Sequence, residues 1–135
     1  MILKPGEGFD EIKFGMTEEE VIALLGEPNV RRIKDEEDED RDIVYQYNEL
    51  KVKLEFDAED ELLFHVRTTN PKAKLDGITI IDQPLDTFFA DLKTKRTDWE
   101  EEKFSSFNSY FYDEKCLSIA EEFGRVIDIH LYWCD

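Results

Sequence analysis

Tyr45-Gln46-Tyr47-Asn48-Glu49-Leu50-Lys51-Val52-Lys53-Leu54-Glu55-Phe56 is followed, at an offset of 65 residues, by Tyr110-Phe111-Tyr112-Asp113-Glu114-Lys115-Cys116-Leu117-Ser118-Ile119-Ala120-Glu121. Both segments begin with Tyr-x-Tyr, pass through a polar turn and continue with alternating apolar residues. The offset extends without a gap to residues 62–66 and 127–131, where the chain's two histidines, His65 and His130, occupy equivalent positions. Matching residues at one constant offset indicate two copies of one structural unit.

Each copy is predicted to contain a strand or turn, a short helix over residues 17–25 or 84–92, a loop and an antiparallel hairpin. The chain of 135 residues has the length of one compact domain, so we expect two repeat units, at about 8–70 and 75–135, within it. An amphipathic helix needs an apolar sheet face to cover. The predicted class is therefore α+β, with two helix-plus-hairpin units side by side, helices on one face of an antiparallel sheet and the other face open.

The beginning of the first helix is the most specific local signal. Thr17 and Glu20 have the spacing of a capping box, in which the hydroxyl and the carboxylate each accept a hydrogen bond from the other residue's amide. Gly26, directly after Leu25, is expected to end this helix. In the second helix, Pro84 suits the first position.

Period-2 alternation divides the hairpin residues between two sheet faces. The face predicted to carry the helices contains Val52, Leu54, Phe56, Leu62, Phe64, Val66, Leu117, Ile119, Ile127, Ile129, Leu131 and Trp133. The opposite face is predicted to be wet and to hold all five tyrosines. Tyrosine is a good strand former, but it also supplies large contact area at protein interfaces. We therefore predict a partner-binding surface made of Tyr45, Tyr47, His65, Tyr110, Tyr112, His130 and Tyr132.

The charge of the chain is strongly acidic, with 17 Lys and Arg against 34 Asp and Glu, a formal net charge of −17. Such a chain repels phosphate and anionic lipid, so neither nucleic acid nor a membrane surface is an expected partner. A basic protein, such as a toxin or an enzyme, would instead be attracted. Residues 35–42 read as a long acidic loop. The residues expected to steer that association are Asp35, Glu36, Glu37, Asp38, Glu39 and Asp40.

The two cysteines, Cys116 and Cys134, form no C-x-x-C motif or Cys/His cluster. Residues 1–5 have no apolar segment typical of a secretion signal. Reduced structural thiols and a cytoplasmic location are therefore the expectation.

Catalytic and cofactor motifs are absent from the sequence. The acidic run from Asp35 lacks the glycine and the final glutamate that a calcium-binding EF-hand loop needs at fixed positions. His65 and His130 could form an acid/base pair, but two copies of a repeat also keep similar residues at equivalent strand positions. We expect no enzymatic activity, no metal and no cofactor.

The segment Ile12-Lys13-Phe14-Gly15-Met16-Thr17-Glu18-Glu19-Glu20-Val21-Ile22-Ala23-Leu24-Leu25-Gly26-Glu27-Pro28 resembles the opening of the β-lactamase-inhibitor-protein-like small tandem-repeat domains. The SmpA/OmlA outer-membrane assembly lipoproteins open similarly. The second unit departs from this pattern, since Ile81 and Asp82 replace Gly-Met. The resemblance implies joined sheets that present an aromatic face to a protein, and hence an acidic, inhibitor- or immunity-type binding module. The alternative is a small-ligand-binding domain of the bacterial cytoplasm.

Overall fold

In the computed structural model, residues 1–34 and 41–134 are described. Strands make up 43% of the structure and helices 16%. The two α-helices are α1 (Glu18–Leu25) and α2 (Leu85–Asp91), and short 3-10 turns lie at Arg96–Asp98 and Asp113–Lys115. The strands are β1 (Ile2–Lys4), β2 (Gly8–Phe9), β3 (Ile12–Lys13), β4 (Val30–Ile33), β5 (Ile43–Tyr47), β6 (Val52–Phe56), β7 (Leu63–Thr68), β8 (Lys74–Leu75), β9 (Ile78–Thr79), β10 (Glu100–Lys103), β11 (Asn108–Tyr112), β12 (Leu117–Glu122) and β13 (Arg125–Tyr132).

The larger sheet has eight strands in the order β10-β11-β12-β13-β7-β6-β5-β4. Every neighbouring pair in it is antiparallel. Two four-stranded meanders, β4 to β7 and β10 to β13, join where β7 pairs with β13. His65 and His130 therefore lie on neighbouring strands at the centre of the sheet.

The smaller sheet has five short strands in the order β3-β2-β1-β8-β9, with β1 and β8 parallel. Its apolar residues Leu3, Phe9, Ile12 and Leu75 belong to the same buried core as the larger sheet. Gly8 is required here because a Cβ at this position would lie 2.1 Å from the carbonyl oxygen of Ile12.

The predicted α+β class, with helices alone covering one sheet face, is wrong. An eight-stranded sheet at roughly 4.8 Å per strand is on the order of 35 Å wide. The helices have only 8 and 7 residues, and a helix of this length extends about 12 Å. The five-stranded sheet therefore supplies much of the remaining apolar cover, and the protein is mainly β.

The capping box at the start of α1 is confirmed. The Glu20 amide donates to the Thr17 hydroxyl at 3.3 Å, and the Thr17 amide donates to the Glu20 carboxylate at 3.3 Å. Gly26 caps the other end with φ of 81°, and its amide donates to the carbonyl of Ile22. The helix buries Val21 in the core.

The expectation of two reduced thiols is wrong. Cys116 and Cys134 form a disulfide that joins the start of β12 to the segment after β13, with Cα atoms 5.8 Å apart. The same ends are held by a hydrogen bond from the Tyr132 amide to the Cys116 carbonyl. Disulfides persist in oxidising compartments and are rare in the cytosol. Neither α1 nor α2 is long and apolar enough to cross a membrane.

Candidate functional site

The open face is the side of the larger sheet that points away from the core. Strand pairing assigns its residues, because directly opposite residues on neighbouring strands point to the same side. Val44 and Ala120 are buried on this face yet lie outside the core cluster. The polar and aromatic residues that share this face are Arg32, Gln46, Lys53, Glu55, His65, Arg67, Asp128, His130, Tyr132, Ser118, Phe111, Ser109, Glu100 and Glu102.

The centre of the open face is a pair of hydrogen-bonded imidazoles. Nε2 of His65 lies 2.8 Å from Nδ1 of His130, and the two rings are almost coplanar, with 2° between their planes. Such a bond needs a neutral acceptor nitrogen on one ring. Burial lowers the pKa of His65 and favours that neutral form.

A carboxylate flanks the pair on each side. Glu55 Oε1 lies 3.4 Å from Nδ1 of His65, and Asp128 Oδ1 lies 3.5 Å from Nε2 of His130. The second Asp128 oxygen accepts a hydrogen bond from Nε of Arg67 at 3.0 Å. The pKa of Asp128 would rise through burial, but His130 and Arg67 outweigh this and lower it. All four imidazole nitrogens therefore contact protein groups.

Asp42 extends this line of polar groups beyond Glu55. Burial and the hydrogen bond with Glu55 raise the pKa of Asp42 to about 6, against the effect of the Ala58 amide that donates to its carboxyl group at 3.0 Å. Burial would raise the pKa of Glu55 as well, but hydrogen bonds from His65 and Lys34 lower it to about 2. The fold therefore favours the protonated form of Asp42 and the ionised form of Glu55.

An aromatic row crosses the sheet next to the imidazole pair. The Tyr132 ring stacks on His65 with centroids 4.8 Å apart, and Phe111 meets Tyr132 edge to face at 6.1 Å. We name His65, Tyr132 and Phe111 the aromatic row. All three side chains are half-buried, so they are fixed by neighbours but still reachable from solvent.

The open-face placement of four predicted partner-binding tyrosines is wrong. Tyr45, Tyr47 and Tyr110 are 1%, 5% and 0% exposed and belong to the core. Tyr45 donates to a Glu18 carboxylate oxygen at 2.5 Å, and Tyr47 donates to the Gly26 carbonyl at 2.9 Å.

The error arises at the hairpin turns. Tyr47 is directly opposite Val52, so both point to the core although their residue numbers differ by an odd number. Counting in steps of two through the turn therefore reverses the face. The same reversal applies to Tyr112, which is directly opposite Leu117. Tyr112 lies on the core face at the edge of the sheet, stacked on Trp99 at 4.9 Å.

Two β-bulges change other predicted core positions. Irregular pairing at Glu55 and Phe56 places Leu63, rather than Phe64, in the core. A second irregularity, between Ala120 and Glu121, places Val126 in the core instead of the predicted Ile127. The last predicted core residue, Trp133, is 47% exposed.

His65, His130 and Tyr132 are the predicted partner-binding residues that the structure brings together on the open face. Sequence reasoning missed Glu55 and Phe111. The strand register is the signal that places both residues on the open face, since Glu55 is directly opposite His65 and Phe111 is directly opposite Ser118. The predicted steering residues, Asp35 to Asp40, lie outside the described residues. Within residues 1–34 and 41–134, no group of three or more His, Cys, Asp or Glu is arranged to hold a metal ion.

Comparison with known proteins shows a distant likeness in fold. No protein-family model matches the chain, and no curated protein matches it. The chain superposes on an extracellular protein containing an SCP domain from Bacillus anthracis with TM-score 0.51 and 12% identity, covering 86% of this chain and 42% of that one. A cysteine-rich secretory protein from Staphylococcus aureus gives TM-score 0.51 and 11% identity, covering 87% and 44%. The chain thus spans less than half of each neighbour.

One expectation is corrected by these neighbours, and a second by the disulfide. The resemblance to the β-lactamase-inhibitor-protein-like and SmpA/OmlA-like domains is wrong, because the solved structures that match are SCP-domain and cysteine-rich secretory proteins. The descriptions of immunity protein and tandem-repeat domain lose their support with it. The cytoplasmic location is wrong as well, because Cys116 and Cys134 form a disulfide and disulfides are rare in the cytosol.

Proposed function

We propose that this domain is a non-enzymatic binding module, working in an oxidising compartment, that holds a protein partner against the open face. The observation that carries the proposal is the aromatic row, a half-buried line of His65, Tyr132 and Phe111 in the middle of that face. Aromatic side chains fixed by their neighbours and ringed by polar groups are typical of interface hot spots.

A binding role fits the imidazole pair better than catalysis. A general acid or base must have a ring nitrogen within hydrogen-bond reach of the substrate. The nitrogens of His65 and His130 instead contact each other, Glu55 and Asp128. The pair therefore serves to fix the rings on which the partner would rest.

The charges on the open face have opposite signs at its two ends. Arg32 and Lys53 lie at the β4–β6 end, whereas Glu100 and Glu102 lie on β10 at the other end. Opposite charges at the two ends of a surface fix the orientation of a bound partner and disfavour binding of proteins with mismatched charge. We propose that the partner presents basic groups to Glu100 and Glu102, in keeping with the acidic charge of the chain.

Photo-crosslinking from the open face tests this role. A benzoylphenylalanine replaces Phe111 in the aromatic row, and a matched protein carries it at Phe123, which is 94% exposed on the turn after β12. Both proteins are irradiated in the cells that naturally produce the chain. We expect one discrete protein adduct from position 111 and none from position 123. No adduct, or the same adducts from both positions, would overturn the proposal.

A further inference from the structure

The open face contains a basic cavity beside the imidazole pair. It is half-open, has a volume of about 170 Å³ and is lined by residues of β4 to β7 and by Lys34. Among the described residues, four cations and one carboxylate line it, a formal charge of 4 − 1 = +3 with His65 neutral. This is a local reversal of sign in a chain whose net charge is −17. The charged residues lining the basic cavity are Arg32, Lys34, Lys53, Glu55 and Arg67.

Two cations of the cavity face each other across neighbouring strands, since Lys53 is directly opposite Arg67. Like charges at such positions destabilise a sheet unless an anion lies between them. Arg32 and Lys53 form no ion pair with any residue in 1–34 or 41–134.

Glu55, the one carboxylate that lines the cavity in the described part of the chain, is already neutralised. Glu55 contacts Nζ of Lys34 at 3.0 Å and Nδ1 of His65 at 3.4 Å. Arg67 forms an ion pair with Asp128 through its Nε, which lies 3.0 Å from Oδ2 of the carboxylate. A guanidinium has further N–H groups on its two terminal nitrogens, so Arg67 keeps donors for a ligand. Among residues 1–34 and 41–134, Arg32 and Lys53 form no ion pair and Arg67 keeps its terminal N–H groups, so all three present donors to one small volume.

We propose that the basic cavity binds a phosphate group, either as free phosphate or as a phosphate monoester. Arg32, Lys53 and Arg67 would donate to different oxygens of the one anion, which relieves the repulsion between Lys53 and Arg67. Phosphate suits three donors on separate strands, because its oxygens point in several directions and it carries close to two negative charges. The site goes beyond the proposed protein-binding role, and either role can fail without the other.

Isothermal titration calorimetry tests the site with three probes at equal ionic strength: sodium phosphate, glycerol 3-phosphate and sodium chloride. We expect saturable binding of at least one phosphate probe and none of chloride. Tighter binding of glycerol 3-phosphate identifies the esterified group as the ligand, and equal or tighter binding of inorganic phosphate identifies the free anion. Absence of saturable binding by both phosphate probes would overturn the proposal.

Two matched variants separate a built site from general attraction. Arg32→Gln should weaken phosphate binding about tenfold, since it removes a charge-assisted hydrogen bond. Arg31→Gln is its control, because Arg31 is on the same strand but pairs with Glu18 on the other side. An equal loss in both variants would contradict the site. Lys53→Gln should weaken phosphate binding. It should also raise the melting temperature of the phosphate-free protein, because it removes the repulsion between Lys53 and Arg67. A lower melting temperature with unchanged phosphate binding would contradict the proposal.

Discussion

The imidazoles of His65 and His130 share one plane and are joined by a hydrogen bond of 2.8 Å between Nε2 and Nδ1. One ring comes from β7 and the other from β13, the two strands at which the meanders of the larger sheet meet. The pair thus connects the two halves of the open face through a bond that needs a neutral ring. Its protonation has measurable consequences for stability.

Acid should weaken the fold through His65. Because burial lowers the pKa of His65 below 6.5, the unfolded chain takes up this proton first. The stability contributed by the neutral ring is complete above pH 6.5 and is lost as the pH falls through the folded-state pKa. We expect His65→Gln to reduce the drop in the free energy of unfolding between pH 7.5 and pH 5.5, measured by urea titration. A drop as large as that of the wild type would contradict this assignment.

Asp42 should act in the opposite direction. Burial and Glu55 raise the pKa of Asp42 to about 6, so the folded state favours the protonated form. The stability that this form contributes is therefore lost as the pH rises through about 6. Asparagine keeps a donor toward Glu55 and an acceptor for the Ala58 amide. We expect Asp42→Asn to raise the free energy of unfolding at pH 7.5 by on the order of 1 kcal/mol, with the gain vanishing near pH 4.

A suitable control for Asp42→Asn is Asp60→Asn, on the exposed turn between β6 and β7. It should show no such pH-dependent gain. A loss of stability in Asp42→Asn at pH 7.5 would show that the carboxylate is a favourable, rather than an unfavourable, feature of the fold.

Buried and open-face tyrosines should differ in their response to loss of the hydroxyl group. Tyr45 donates to the partly exposed carboxylate of Glu18, and a hydrogen bond to a charged group contributes about 1.5–3 kcal/mol. We expect Tyr45→Phe to lower the free energy of unfolding by about this amount. The Tyr132 hydroxyl has no hydrogen-bond partner among the described residues, so Tyr132→Phe should be close to neutral. Equal effects in denaturant titration would contradict the assignment of the two faces.

The disulfide should stabilise the domain chiefly by restricting the unfolded chain. Cys116 and Cys134 are 18 residues apart, and closing a loop of this length contributes about 3 kcal/mol. We therefore expect the double variant Cys116→Ala, Cys134→Ala to unfold at lower denaturant concentration. Reductant should shift the wild type by a similar amount and leave the double variant unchanged. A shift of both proteins by reductant would point to another cause.

The local parts of the fold were predictable from the sequence because nearby residues determine them. Thr17 and Glu20 predicted the capping box of α1, and alternating residues predicted β6 and β12. The five-stranded sheet was not predictable, because its strands have only two or three residues and leave no periodic signal. Its order also depends on the parallel pairing of β1 with β8, whose residues are distant in sequence.

The candidate site was predicted in part. Period-2 alternation predicted His65 and His130 on one sheet face, and they are in hydrogen-bond contact on the open face. The tyrosines were assigned to the wrong face because a hairpin turn can change the parity of the alternation. A bulge has a similar effect, since one extra residue shifts the faces of those that follow. Register is set by pairing across strands, which a single strand's pattern does not contain.

The most direct test of the open face as the binding surface compares two alanine variants against the partner captured from position 111. Surface plasmon resonance would measure the dissociation constant for Tyr132→Ala, in the aromatic row, and for Phe123→Ala, on the exposed turn. Loss of a hot-spot aromatic costs about 2 kcal/mol, so we predict a roughly thirtyfold weaker complex for Tyr132→Ala and no change for Phe123→Ala. Wild-type affinity in a correctly folded Tyr132→Ala variant would contradict the account.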